Sequence, residues 1–242
     1  MRKYPIETGR DEKTPLEVRR TVGKKEDKYI PAFGFRWLTR FYDPFIRWTM
    51  PEAALKRQLV EQARIRPGHR VLDLGCGTAT LTILIKQLHP GAEVAGLDGD
   101  QKILEIAMAK VARAGLDIAL EQGMSFALPY PDSSFDRALS SMVFHHLTGE
   151  NKARTLQEVF RVLRPGGELH VADFGKPHNA LMGLISLIMR RLETASDNIK
   201  GLLPGMMRRA GFEEVEEAAR HMTVFGTVSL YRARRPTVPA VS

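Results

Sequence analysis

Val71-Leu72-Asp73-Leu74-Gly75-Cys76-Gly77-Thr78-Ala79 is the stretch whose reading decides the fold. Val71–Leu74 is an apolar run broken by one acid, as expected of a strand covered on both faces. Gly75 and Gly77 let the backbone turn tightly and approach a ligand with no Cβ in the way. The segment from Thr78 to Leu88 has helical spacing, so the loop opens a helix whose first N–H groups face a ligand. Further on, Val94-Ala95-Gly96-Leu97-Asp98 is a second strand ending in an acid, where a carboxylate accepts both hydrogen bonds of a ribose diol.

A glycine pair of this kind fits two nucleotide cofactors, and two details separate them. Thr80 stands where the dinucleotide fingerprint has its third glycine, which permits close packing around a pyrophosphate. Asp73 brings a carboxylate to the loop, poorly suited to a diphosphate and well suited to an ammonium group. A dinucleotide-dependent oxidoreductase is therefore the weaker reading.

Outward from the loop, strand and helix signals alternate, the pattern of a parallel sheet with helices on both faces. Expected strands are Arg70–Leu74, Glu93–Leu97, Asp117–Glu121, Phe135–Met142 and Gly167–Asp173, with helices Thr78–Leu88, Gln101–Ala114 and Asn151–Val162 between them. His89-Pro90-Gly91, Gly115 and Arg164-Pro165-Gly166-Gly167 supply the stops. After Asp173 the period changes. Asn179–Glu193 reads as a helix apolar nearly all round, and Gly201–Ala210 as another. Glu213–Ala218 and Thr223–Ala233 read as a closing antiparallel hairpin at one edge of the sheet.

Upstream, Pro51 suits the first turn of a helix running to about Ile65. Phe33–Met50 is an aromatic-rich amphipathic stretch bent at Asp43-Pro44, and residues 1–30 are charged and without a buried-face period. The expected organisation is a flexible basic segment at 1–30, then one domain over 31–242 with helical lids near 33–50 and 179–210.

The net charge of +8 invites a nucleic-acid reading, but its distribution argues against one. Residues 1–30 hold nine Lys/Arg against six Asp/Glu, and residues 232–242 hold three Arg and no acid, so +6 of the +8 sits in the two ends. The single cysteine, Cys76, excludes a disulfide framework and paired-thiolate metal binding, and no metal is expected. The first thirty residues carry no apolar signal region, and the longest apolar run, Leu181–Met189, is far short of a membrane span. These observations point to a cytoplasmic protein; nothing in the pattern fixes an oligomeric state.

Several further segments resemble the class I S-adenosylmethionine-dependent methyltransferases, over roughly Arg70 to Arg235. Phe126-Ala127-Leu128-Pro129-Tyr130-Pro131-Asp132-Ser133-Ser134-Phe135-Asp136 looks like that family's LPF-x-D-x-x-FD stretch. Leu163–Leu169 looks like its L-x-PGG-x-L turn, and Gly211-Phe212 like the GF before the last two strands. His145-His146 and Phe174-Gly175-Lys176-Pro177 are similar to the ubiquinone/menaquinone-biosynthesis methyltransferase-like group.

The resemblance implies a seven-stranded, mostly parallel Rossmann-like α/β fold and S-adenosyl-L-methionine as cofactor, with S-adenosyl-L-homocysteine as product. It assigns Gly75 and Gly77 to the cofactor's amino-acid end, Asp73 to its ammonium and Asp98 to the ribose, with Tyr42, Cys76, Gly99, Met124, Ser125 and Ser141 in the same pocket. One position departs. Where the group has Gly-Asp-Ala after the third strand, this chain has Gly123-Met124-Ser125, and a thioether accepts a hydrogen bond only weakly.

His145 and His146 follow the fourth strand at the sheet edge where ligands bind, and are the candidates for a general base; Asp173 and His178 stand at the substrate end of the fifth. His170, inside a strand, reads as a packed core residue. The two apolar lids fit a small or lipophilic acceptor, quinol-like, phenol-like or a lipid head group. Arg36, Arg40, Arg47, Arg190 and Arg191 beside them suit peripheral contact with an anionic membrane. The alternative to an enzyme is a binding protein that keeps the fold and the cofactor, a reading that Met124 leaves open.

Overall fold

The computed structural model describes residues 52–179, 182, 196–223 and 226–237. The segment 1–30, the stretch Phe33–Met50 with Tyr42 and its arginines, and residues 183–195 with Arg190 and Arg191 lie outside the described residues. All of the first expected lid and much of the second fall there.

In chain order the elements are α1 (Glu52–Gln62), β1 (Arg70–Leu74), α2 (Thr80–Leu88), β2 (Glu93–Asp98), α3 (Gln101–Ala114), β3 (Ala119–Gln122), β4 (Phe135–Ser141), α4 (Gly149–Val162), β5 (Leu163–Phe174), α5 (Ser196–Ile199), α6 (Leu203–Arg209), β6 (Glu213–Thr223) and β7 (Gly226–Arg234). Local chemistry sets several of the ends. Asp100 caps α3 by accepting from the Lys102 and Ile103 N–H groups, and Gly115 ends it in the left-handed region. Thr148 caps α4 by accepting from the Asn151 N–H, which starts that helix two residues before the expected Asn151.

The strands form one seven-stranded sheet in the order β3-β2-β1-β4-β5-β7-β6. β1 to β5 run parallel, and β7 lies antiparallel to both β5 and β6. The fold class and the closing hairpin expected from the sequence are therefore present. From β1 the chain steps outward through β2 to β3, then crosses back to β4 on the other side. The reversal leaves a crevice at the carboxyl ends of β1 and β4, where open α/β sheets bind ligands. β7 is inside the sheet and buried over most of its length, whereas β6 is the exposed edge, charged with Glu213, Glu214, Glu216 and Glu217. A charged edge discourages pairing with another sheet.

Strand alternation divides the core. Val71, Val94, Leu139, Ala172 and Leu230 face Leu55, Leu59, Leu81 and Ile85 of α1 and α2, while Leu72, Leu74, Ala138, Leu169 and Val171 face Leu156, Val159, Leu203 and Met207 of α4 and α6. α3 adds Ala107 and Val111 to a smaller cluster with Ala79 and Ile118. His170 is a core residue, as expected: its Nδ1 lies 3.1 Å from Gln62 Nε2 and its Nε2 3.1 Å from Glu168 Oε2. Gln62 also donates to the Tyr231 carbonyl at 3.1 Å, so α1 is pinned to the strands beneath it by polar as well as apolar contacts.

β3 starts at Ala119 rather than Asp117, β6 runs on to Thr223 past the expected Ala218, and β7 starts at Gly226 rather than Thr223. Two other boundaries depart from expectation for identifiable reasons. β5 starts at Leu163 rather than Gly167, because the Pro-Gly-Gly turn sits inside the strand as a bulge. Phe135 pairs with Leu163 and Arg137 with Glu168, so β5 advances five residues where β4 advances two. Gly166, at φ +79°, makes the bend, and its N–H donates to the Arg235 carbonyl. α2 starts at Thr80 rather than Thr78, since Ala79 is left-handed at φ +59°. The loop is thus two residues longer than the sequence suggests.

Candidate active site

The loop after β1 turns on three left-handed residues, Gly75 at φ +70°, Gly77 at +54° and Ala79 at +59°. Gly75 is forced, because a Cβ there would come within 2.5 Å of Val143 Cγ2. Gly77 is different: a Cβ there would meet nothing within 4 Å, so this turn faces open space and forms a cradle. Gly75 and Cys76 donate their N–H groups to the Leu97 carbonyl at 2.8 and 3.0 Å, which seats the loop on the end of β2. The Cys76 side chain is buried, and burial pushes its thiol far above the usual range, so it packs as a neutral group.

Asp98, at the end of β2, accepts from the Gly77 N–H at 2.8 Å and the Asp100 N–H at 2.9 Å. A carboxylate has about four lone-pair directions, so it retains capacity for a diol. Gly99 and Met124 meet beside it: a Cβ on Gly99 would lie 3.1 Å from Met124 Sδ. The Ser125 hydroxyl shares a hydrogen bond with Thr155 of α4 at 3.0 Å, so the loop after β3 is tied to the helix above it. Ser141 ends β4, half-buried, opposite Ala172. Asp73 is only 1% exposed, and Thr82 of α2 donates to its Oδ2 at 2.6 Å. Burial raises its pKa to about 6, against the Thr82 hydrogen bond and the Lys56 ammonium.

The second half of the site follows β4. Met142 takes a left-handed φ of +60° while its N–H donates to the Ala172 carbonyl, and this turn launches a short 3-10 segment, Phe144–His146. His145 Nδ1 then lies 3.0 Å from Asp173 Oδ1. Asp173 is fully buried and also accepts from the backbone N–H groups of His145 and Phe174 at 3.3 and 2.7 Å, and from Asn198 Nδ2 at 2.9 Å. Burial alone would raise its pKa; His145 and the backbone donors outweigh it and hold the carboxyl below its ordinary range. An ionised carboxylate only accepts, so His145 Nδ1 must carry the proton, which leaves Nε2 with the free lone pair. The His146 ring centroid is 3.9 Å from that of His145, and burial, with a smaller contribution from the His145 side chain, drives His146 down to about 4. His146 is neutral at physiological pH.

The cofactor candidates Asp73, Gly75, Cys76, Gly77, Asp98, Gly99, Met124, Ser125 and Ser141 thus gather at the carboxyl edge of β1 to β4, while Tyr42 lies outside the described residues. His178 is elsewhere engaged, its Nδ1 3.0 Å from the Thr227 hydroxyl. Ala79, Val143 and Asn198 were not singled out from the sequence. Ala79 was findable, as the third small residue spaced by two after Gly75 and Gly77. The other two were not, since their roles depend on contacts distant along the chain. Among the described residues no three His, Cys, Asp or Glu side chains are grouped to hold a metal, and no helix is long and apolar enough to cross a membrane.

Residues 71–167 match the methyltransferase domain family. The demethylmenaquinone methyltransferase of Thermus thermophilus is 37% identical over 130 residues, 54% of this chain and 58% of that one. An uncharacterized methyltransferase of Synechocystis is 32% identical, over 72% of this chain and 80% of its own. The ubiquinone/menaquinone biosynthesis C-methyltransferase UbiE of Pseudoalteromonas translucida is 32% identical, over 66% and 72%. The YcgJ protein of Bacillus subtilis shares the fold with a TM-score of 0.63 at 16% identity, covering 76% of this chain and 99% of that one. So does a phosphoethanolamine N-methyltransferase of Haemonchus contortus solved with S-adenosyl-L-methionine, with a TM-score of 0.63 at 14% identity, covering 75% and 52%. The chain belongs to the class I S-adenosylmethionine-dependent methyltransferases. Within that class it stands near the UbiE group, although it spans only about half the length of several demethylmenaquinone relatives that it matches.

Proposed function

We propose that this chain moves a methyl group from S-adenosylmethionine to a hydroxylated, lipophilic aromatic acceptor of the quinol type. One arrangement carries the reading: the Gly77–Asp98 cradle and the His145–Asp173 pair stand along one edge of one sheet. The residues fit the cofactor. Asp98 would accept from the ribose hydroxyls, the open side of Gly77 would receive the amino-acid end, and the buried Asp73 carboxylate would pair with its ammonium. Met124, beside Gly99, would pack against the base. Bound there, S-adenosylmethionine supplies a methyl already activated by its sulfonium, so alignment and exclusion of water are what the chain must add.

His145 Nε2 takes the proton of the acceptor hydroxyl, and Asp173 stabilises the imidazolium that results. Loss of that proton raises electron density on the ring carbons beside and opposite the oxygen, so the base serves carbon methylation as well as oxygen methylation. The quinol class is supported by the names of the relatives. Incubation with methyl-labelled cofactor and a panel of reduced naphthoquinols, phenols, amines and phospholipids tests this, read by mass. Label on the naphthoquinol is the expected result. Label only on an amine or a phospholipid would overturn the acceptor, and no label despite bound cofactor would overturn the enzyme.

Asp73 gives the site a pH signature. Its raised pKa means that the free protein loses stability as pH rises from the ordinary carboxylate value to about 6, since the ionised form is the disfavoured one. An ammonium beside the carboxylate lowers that pKa, so cofactor binding releases the proton. Affinity should be flat above pH 7 and roughly tenfold weaker at pH 5. Calorimetric titration with S-adenosylhomocysteine at the two pH values checks this, and Asp73→Asn should flatten the profile while weakening binding throughout.

A further inference from the structure

Asp173 has a neighbour that the reading above leaves unused. Asn198, on α5, is fully buried and donates through Nδ2 to Asp173 Oδ1, the same oxygen that His145 Nδ1 meets. A carboxylate offers no proton, so the amide must present its nitrogen to Asp173; the opposite placement would set acceptor against acceptor. Asn198 Oδ1 is thereby turned away from Asp173, and it is buried with no hydrogen-bond partner among the described residues. Native proteins seldom keep a buried acceptor unpaired, because its lost hydration is not repaid.

The segment carrying this atom is firmly held. Ile199, next in sequence, belongs to the core cluster under α1. On the other side, Asp197 Oδ2 lies 3.4 Å from Nζ of the buried Lys152 of α4, and its carbonyl accepts from the Leu202 N–H. The Asn198 carbonyl accepts from the Gly201 N–H at 2.9 Å. A fixed, unpaired acceptor one side chain away from His145 is what recognition of a donor requires.

We infer that Asn198 is the acceptor-recognition residue: its Oδ1 accepts a hydrogen bond from a ring hydroxyl of the acceptor other than the one facing His145. This rests on the quinol reading and adds a specificity to it. A dihydroxylated ring satisfies both groups. The oxidised quinone carries only carbonyl oxygens and would set one of them against Asn198 Oδ1, so the reduced ring is taken and the oxidised one refused.

The test uses the full chain with S-adenosylmethionine, a 2-alkyl-1,4-naphthoquinol and its two mono-O-methyl ethers, assayed on wild type and Asn198→Ala. Each ether should cost the wild type about tenfold to a hundredfold in kcat/KM, one by blocking the hydroxyl that faces His145 and the other by blocking the hydroxyl that faces Asn198. Asn198→Ala should lose a similar factor on the parent quinol and nothing more on the ether blocked toward Asn198. Equal use of all three acceptors by the wild type would overturn the inference, as would a variant slowed in the same proportion on every acceptor. No transfer by the wild type to any hydroxylated aromatic would overturn the quinol reading together with this one. Calorimetry with S-adenosylhomocysteine reports whether the variant folds, at a site Asn198 does not touch. If it does not fold, the wild type decides: losses on both ethers are expected, and a loss on only one of the two would overturn the inference.

Discussion

Asp98→Ala is expected to weaken cofactor binding by at least two orders of magnitude while leaving the sheet folded. Two hydrogen bonds from a diol to a charged acceptor are together worth roughly 3–5 kcal/mol, because each is charge-assisted and shielded from water. The substitution also removes the acceptor for the Gly77 N–H at 2.8 Å and the Asp100 N–H at 2.9 Å, so the loop loses its tie to the end of β2. Both losses act on the same measurement. Calorimetry with S-adenosylhomocysteine should show no binding at concentrations that saturate the wild type, with thermal unfolding little changed. Retained affinity would mean that the ribose rests elsewhere.

Asp173→Ala should act on stability first. The carboxylate is fully buried and accepts from His145 N, His145 Nδ1, Phe174 N and Asn198 Nδ2. Deleting it strands buried donors at a cost of about 3–5 kcal/mol, which for a chain of this size corresponds to a fall in melting temperature of roughly 10 °C. Asp173→Asn keeps the volume and should cost less stability, but an amide cannot hold an ionised acceptor against His145. Transfer should then fall about a hundredfold or more at unchanged cofactor affinity. Because the folded pKa of Asp173 is depressed, its stabilisation is complete at neutral pH and is lost only as pH falls through and below the ordinary carboxylate range.

How much of this could be read from the chain alone differs from element to element. The parallel sheet was legible because Val71–Leu74 and Val94–Leu97 are largely apolar runs that alternate with helices carrying plain stops. Boundaries failed where backbone conformation overrides composition. Ala79 adopts a glycine-like φ that its residue type does not announce, and the Pro-Gly-Gly turn reads as a break although the register carries β5 through it. The cofactor end was legible because loop and acid are local to β1 and β2. His145 and Asp173 were each visible at a strand end, but their pairing depends on β4 and β5 being neighbours, with Ser141 opposite Ala172. Asn198 was invisible. It lies in a short helix with no period of its own, and its partner is distant along the chain.

The central claim is that one sheet edge holds the cofactor at Asp73, Gly77 and Asp98 and presents its reactive end to His145. A crystal structure of the chain with S-adenosylhomocysteine measures this most directly. The account predicts both ribose hydroxyls within hydrogen-bond distance of the Asp98 carboxylate, the amino group against Asp73, the base on Met124 and the sulfur facing the His145–Asp173 pair. A ligand whose ribose leaves Asp98 unpaired, or whose sulfur points away from His145, would contradict it.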